Sequence, residues 1–272
     1  MNHIPEQKNS FPPLYVPTES DCRRIRSGNR CIVFARWPVL EPTEGHFDAA
    51  AVDALREELM LRSAGGAKPV LCLYAGEDPA WFCAKGGWLQ EDNLRCYLRY
   101  AGRAARVFGH LTDEYITLFE PNELVWSRSV NRSFLARLRM LSYMACAHVR
   151  AVRLVRDTRA QRSLPPTQIG FVLRMRTVSD LRLGLLRGAN SVTASLYEVS
   201  PMLAMAKGEF LPPLHNALRI RPGEWADFVG VSGSDDAGKR LRCCRAAAAL
   251  VSAEIREVKD AEPSRAPLKK EG

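Results

Sequence analysis

The stretch Tyr115–Pro121, YITLFEP, decides how the chain reads. An apolar, partly β-branched run stops abruptly at a carboxylate followed by proline, as a strand buried on both faces does when its carboxyl end carries a polar group. Runs of the same kind recur outward from it: CIVF at 31–34, PVLCLY at 69–74, QIGFVL at 168–173 and DFVGVS at 227–232. Helical patterns lie between them, one after an Asp48 cap, one ending at Gly109 and a long arginine-bearing one from about residue 134. Strand alternating with helix predicts parallel strands joined by right-handed crossovers.

Such alternation fits a doubly wound sheet or a (β/α)8 barrel. No GxGxxG or GxxxxGK[ST] loop follows any strand, so nucleotide phosphate has no local cradle, and the sequence names no cofactor. Polar and acidic residues cluster just past strand ends instead: Glu77 and Asp78, Glu120 and Asn122, Asp235 and Asp236. Loops that converge on one site are the mark of a barrel. The expected class is α/β, a partial or modified TIM (β/α)8 barrel with parallel strands. Residues 1–29 form an N-terminal arm and first helix, 30–260 the barrel domain, and 261–272 a polar, disordered tail. The segment 174–225 is irregular, a helix is expected from Ala237 to about Val258, and no internal repeat is visible.

The chain has 272 residues and 46% hydrophobic content, enough for one large core. No apolar run approaches membrane-spanning length and the polar start lacks the layout of a secretory signal, which predicts a soluble cytoplasmic protein. The eight cysteines form no CxxC pair and read as reduced structural thiols, and no metal site is expected. The net charge of +9 is concentrated in the arginines of the long helix. Phe134, Leu138, Leu141, Ala145, Val149, Val152 and Val155 recur there at helical spacing, so the arginines occupy the solvated faces. His148 lies on the apolar face and reads as a core histidine. Nucleic-acid binding is the third-ranked reading.

The ordered motifs resemble family 1 glycoside hydrolases, the β-glucosidase family. RWPVLEPTEGHFD is similar to the segment after that family's second strand. KPVLCLYAGEDPAWFCAKGGWLQEDNLRCYLRYAGRAARVFG is similar to its third strand, Gly-Gly-Trp-Leu turn and helix. YITLFEP resembles the fourth-strand motif T-F-N-E-P, AHVRAVRLVRD with IGFVL the next helix and strand, and WADFVGVSGS the sixth strand. The likeness runs from about residue 20 to 235. It implies that Glu120 stands where the family has its general acid/base, the partner of a nucleophile in retaining hydrolysis.

Scaffold positions match: Trp37, Pro38, Gly86–Leu89, Phe108, Gly109, Pro121, Ile169, Gly170, Asp227, Phe228 and Gly230. Sugar-binding positions depart. Ile32 replaces the arginine beside the nucleophile, Ala75 and Gly76 a His-Trp pair, Phe119 the asparagine before the acid/base, and Arg174 the asparagine after the fifth strand; no E-N-G motif is present. Losing a buried carboxylate leaves its arginine unpaired, so an apolar exchange such as Ile32 is the expected relief. Phe119 adds about 2 to 3 kcal/mol of apolar burial where a polar pocket was.

A degenerate β-glucosidase-like pseudoenzyme of carbohydrate metabolism is therefore the first reading, with a carbohydrate as possible ligand. Five or six strands leave open barrel edges, for a second copy or a partner chain to cover, unless PPLYVP adds a strand. The alternative is an active O-glycosyl hydrolase in which Glu120 is the acid and Glu77, Asp78, Asp235 or Asp236 the second carboxylate. Trp81 and Trp126, in carboxyl-end loops, are candidates to stack on a sugar ring, with Asn122 beside them. Against any catalytic role, Glu120 reads as a glutamate kept for hydrogen bonds to neighbouring strands.

Overall fold

The computed structural model describes residues 11–17, 28–127, 133–175, 195–233 and 237–260. Seven parallel strands form a closed ring in chain order: β1 (Pro13–Val16), β2 (Arg30–Phe34), β3 (Lys68–Cys72), β4 (Glu114–Phe119), β5 (Gln168–Arg174), β6 (Phe228–Ser232) and β7 (Glu254–Asp260). Around them lie α1 (Trp37–Leu40), α2 (Ala49–Ala64), α3 (Ala80–Ala84), α4 (Leu94–Phe108), α5 (Pro121–Ser127), α6 (Phe134–Gln161), α7 (Ser200–Lys207) and α8 (Ala237–Ala248). Among the described residues no helix is long and apolar enough to cross a membrane.

The five expected strands are present within two residues, and PPLYVP does supply β1. The helix expected to reach Val258 stops at Ala248, and EIREVKD becomes β7, pairing Pro13↔Glu257 through Val16↔Asp260 with β1. The expected open edges are therefore absent, because the ring closes within one chain. Five charges in seven residues hid this strand. Arg256 points into the lumen and Glu257 away from it, where Glu257 pairs with Arg240 at 2.7 Å and Lys259 at 3.2 Å.

The barrel floor is polar. Arg256, fully buried, donates to the Glu114 carboxylate at 2.5 Å, to Glu254 at 2.9 Å and to Gln168, with its guanidinium 3.8 Å from the Phe228 ring centroid. Arg30 donates to both oxygens of Glu114 at 2.8 and 2.9 Å. Above this floor the lumen is apolar, filled by Leu14, Ile32, Val70, Cys72, Ile116, Val172, Phe228 and Val258. A second core joins the outside of the ring to the helices, with Trp37, Tyr74, Trp88, Tyr97 and Tyr100 among its fully buried rings.

Several scaffold matches have a physical reason here. Gly86 and Gly87 take positive φ (91° and 56°), which turns the chain so that Trp88 packs inward and donates to the Tyr74 hydroxyl at 3.0 Å. Trp37 donates to Glu41 at 2.7 Å; that buried carboxylate also accepts from Gly45 N–H and Arg99. Asp227 binds Arg156 and the Ile169 N–H, tying α6 to β5 and β6.

At Gly170 a Cβ would lie 2.2 Å from the Phe228 carbonyl oxygen and 2.6 Å from its ring. Backbone cannot yield as a flexible side chain does. Gly170→Ala is expected to destabilise the fold by about 3 kcal/mol, read as a lower urea midpoint; an unchanged midpoint would show that the lumen repacks around Phe228.

Candidate active site at the carboxyl end of the barrel

Glu120 follows β4 directly and starts α5. Its N–H donates to the Val172 carbonyl at 2.9 Å and its own carbonyl accepts from Leu124 at 3.0 Å, which fixes φ at +50°, a left-handed value seldom taken by a non-glycine residue. The mostly buried carboxylate accepts from the Ser232 hydroxyl at 2.6 Å and from Arg174 Nη1 at 3.3 Å. Thus the ends of β4, β5 and β6 meet on one carboxyl group. Ser232 was not singled out in the sequence; a hydroxyl ending the strand that neighbours β5 was its only signal.

Asn122 is buried and spent on backbone. Its amide nitrogen donates to the carbonyls of Arg174 at 2.7 Å and Tyr197 at 3.1 Å, and its oxygen accepts from Arg174 N–H at 3.2 Å. The residue holds β5 against the turn at 195–199.

The other candidates occupy separate places. Glu77 pairs with Arg36 at 2.9 Å on the exposed rim, beside a cavity of about 270 Å³ lined by Phe34, Trp37, Tyr74 and Ala75. Asp78 accepts from the Tyr74 hydroxyl at 2.7 Å and from Trp88 at 3.1 Å, so it anchors aromatic rings. Trp81 donates to the Glu41 carbonyl at 3.0 Å and meets Trp37 edge-on at 5.7 Å, with Lys85 and Arg99 over its face. Trp126 stacks on Tyr197 at 4.1 Å with Arg137 over its ring at 4.9 Å. Asp235 and Asp236 lie outside the described residues. Arg36 thus binds Glu77, and Tyr74 with Trp88 binds Asp78, while Ser232 and Arg174 bind Glu120.

At the top of the lumen Phe34 and Phe119 meet edge-to-face at 5.5 Å and pack on the apolar column below. Aromatic carbon therefore stands where the β2 and β4 ends would otherwise present polar groups. Among the described residues no three of His, Cys, Asp or Glu are grouped to hold a metal ion.

Solved structures similar to this chain can now be set beside it. No protein-family model matches the sequence, and no curated protein matches it. A β-glycosidase from Pyrococcus horikoshii superposes with a TM-score of 0.62 at 22% identity, over 76% of this chain and 48% of that one. The fold resembles the barrel of β-glucosidases. A β-glucosidase from Exiguobacterium marinum gives 0.61 at 19% identity, over 75% and 51% of the two chains. A GH1 β-glucosidase from Exiguobacterium antarcticum gives 0.62 at 16%, over 90% and 54%. The chain spans about half the length of these structures.

His148 is fully buried on α6. Its Nδ1 lies 2.6 Å from the Thr117 hydroxyl and its ring meets Phe171 edge-on at 5.0 Å. Burial pushes its pKa down to about 3, against help from the nearby Trp225 and Met205 carbonyls. The folded state thus keeps the ring neutral while the unfolded chain protonates it near pH 6.5, so its contribution is full above 6.5 and is lost as pH falls towards 3. Between pH 6 and 4 the unfolding free energy of His148→Gln is expected to fall less steeply than that of the parent, by about 1.4 kcal/mol per pH unit. Parallel curves in urea titrations at stepped pH would assign the acid sensitivity elsewhere.

Proposed function

We propose that the chain is a non-hydrolysing relative of family 1 β-glucosidases, a barrel kept as a binding or assembly module with a carbohydrate as its candidate ligand. One observation carries this reading: the Glu120 carboxylate is engaged by Ser232 and Arg174, while the neighbouring ends of β2 and β4 carry Phe34 and Phe119, which pack edge-to-face. Retaining hydrolysis needs two carboxyl groups about 5 to 5.5 Å apart across the sugar, and the oxygens of Glu120 already accept from a hydroxyl and a guanidinium of the protein itself. The tight packing of Asn122, Trp81 and Trp126 supports the same reading, since each already has a structural partner. Association with a second copy or another chain would belong to such a module's role.

A second reading has one observation in its favour. β7 ends at Asp260, whose backbone pairs with Val16 at the carboxyl end of the ring, the end at which a barrel's catalytic groups stand. In that reading Glu120 is the general acid of an O-glycosyl hydrolase.

Incubation with a panel of aryl β-glycosides separates the two. Parent, Glu120→Gln and Asp260→Asn are expected to give the same background rate of aryl alcohol release. A parent rate above background that drops about 100-fold or more in Glu120→Gln would replace the proposal with hydrolysis, and a matching drop in Asp260→Asn would identify the second acid.

A further inference from the structure

The outer wall formed by α4 and α6 carries charge that the barrel does not use. Every exposed residue of α4 is an arginine: Arg95, Arg99, Arg103 and Arg106. Beyond its first turn α6 exposes Arg139, Arg150, Arg153, Asp157, Ala160 and Gln161. The two helices pack side by side, a Cβ on Gly102 lying 3.0 Å from the Leu154 side chain, and Arg162 just after α6 donates to the Arg106 carbonyl. Together they hold ten arginines against the single carboxylate of Asp157, an excess equal to the +9 of the whole chain.

Part of that charge is used internally. Arg99 meets Glu41 at 2.8 Å and Glu44 at 3.4 Å, Arg156 meets Asp227, Arg153 reaches Asp157 at 4.0 Å, Arg137 lies over Trp126, and buried Arg159 binds the carbonyls of Gly109 and Thr112. The rest meets no carboxylate among the described residues. Arg103 reaches only the Gly45 carbonyl and the Phe47 ring, Arg150 the Leu218 carbonyl, and Arg95, Arg106 and Arg139 pair with no carboxylate among the described residues. From Arg95 to Arg106 the stripe rises about 16 Å along one helix face.

We infer that this wall docks on the phosphodiester backbone of double-stranded nucleic acid, without reading sequence. A guanidinium matches phosphate oxygens with a two-pronged fork, and a duplex offers a charge about every 1.7 Å of its axis. Membrane docking needs exposed apolar residues among the basic ones and single-strand binding needs exposed aromatic platforms. Neither is exposed along Arg95–Arg106 or Arg139–Gln161; the exposed Phe134 and Leu135 stand on the first turn of α6, at one end of the wall. The inference is independent of what the barrel mouth binds.

Fluorescence anisotropy with a labelled 20-base-pair DNA duplex tests it. Binding of the parent is expected to weaken about 100-fold between 50 and 200 mM NaCl. The quadruple variant Arg95→Gln, Arg106→Gln, Arg139→Gln, Arg150→Gln should bind at least 10-fold more weakly at 100 mM NaCl, with a salt slope reduced by about three to four. A control losing the same charge elsewhere (Arg56→Gln, Lys68→Gln, Lys239→Gln, Arg242→Gln) should lose less than about threefold, with thermal melts verifying that both fold. Equal losses in both variants, no duplex binding at 50 mM, or binding to phosphatidylserine vesicles in place of duplex would each overturn the inference.

Discussion

Glu114 is the tie on which the barrel depends. Ring closure sets β7 beside β1 and so brings Arg256 inside, where a guanidinium without a partner would cost several kcal/mol. Glu114 reaches it from β4 on the far side of the ring while holding Arg30 from β2. One carboxylate thus links three strands that share few backbone bonds. With the floor sealed in this way, everything above it can be apolar, and the height of the mouth follows from the strand lengths.

At the mouth the balance runs the other way. Polar groups are still present at the ends of β4, β5 and β6, but they bind one another: Glu120 to Ser232 and Arg174, Asn122 to the Arg174 and Tyr197 backbone. Phe34 and Phe119 continue the apolar column of the lumen to its rim. Buried polar groups that satisfy each other stabilise a structure and leave little for a ligand, since any competing bond must first displace an existing one. The likeness to β-glucosidases is one of fold.

What could be read in advance follows from how local each signal is. The four internal runs from β3 to β6, with β2 before them, are apolar on both faces and declare themselves by composition, and Trp37, Gly86 and Asp227 declare their roles through short motifs. β7 does not, because Arg256 is acceptable in a strand through partners such as Glu114 and Gln168, 142 and 88 positions away. The same distance hid the bond between Ser232 and Glu120, 112 positions apart, although each residue lies at a recognisable strand end. Trp81 and Trp126 read as loop aromatics, and their packing against Trp37 and Tyr197 has no local signal in the sequence.

The number of strands has a consequence of its own. In an eight-membered ring the side chains at each height come from every second strand, so two interleaved sets fill the interior in layers. Seven cannot be divided that way: an odd cycle has no strict alternation, and somewhere two adjacent strands must compete for one level. Gly170 and Gly230 sit on the neighbours β5 and β6, each opposite a bulky group of the other, Phe228 and Val172. Their missing side chains supply the slack that such a seam requires, while the odd count itself leaves the ring without a division into equal half-barrels.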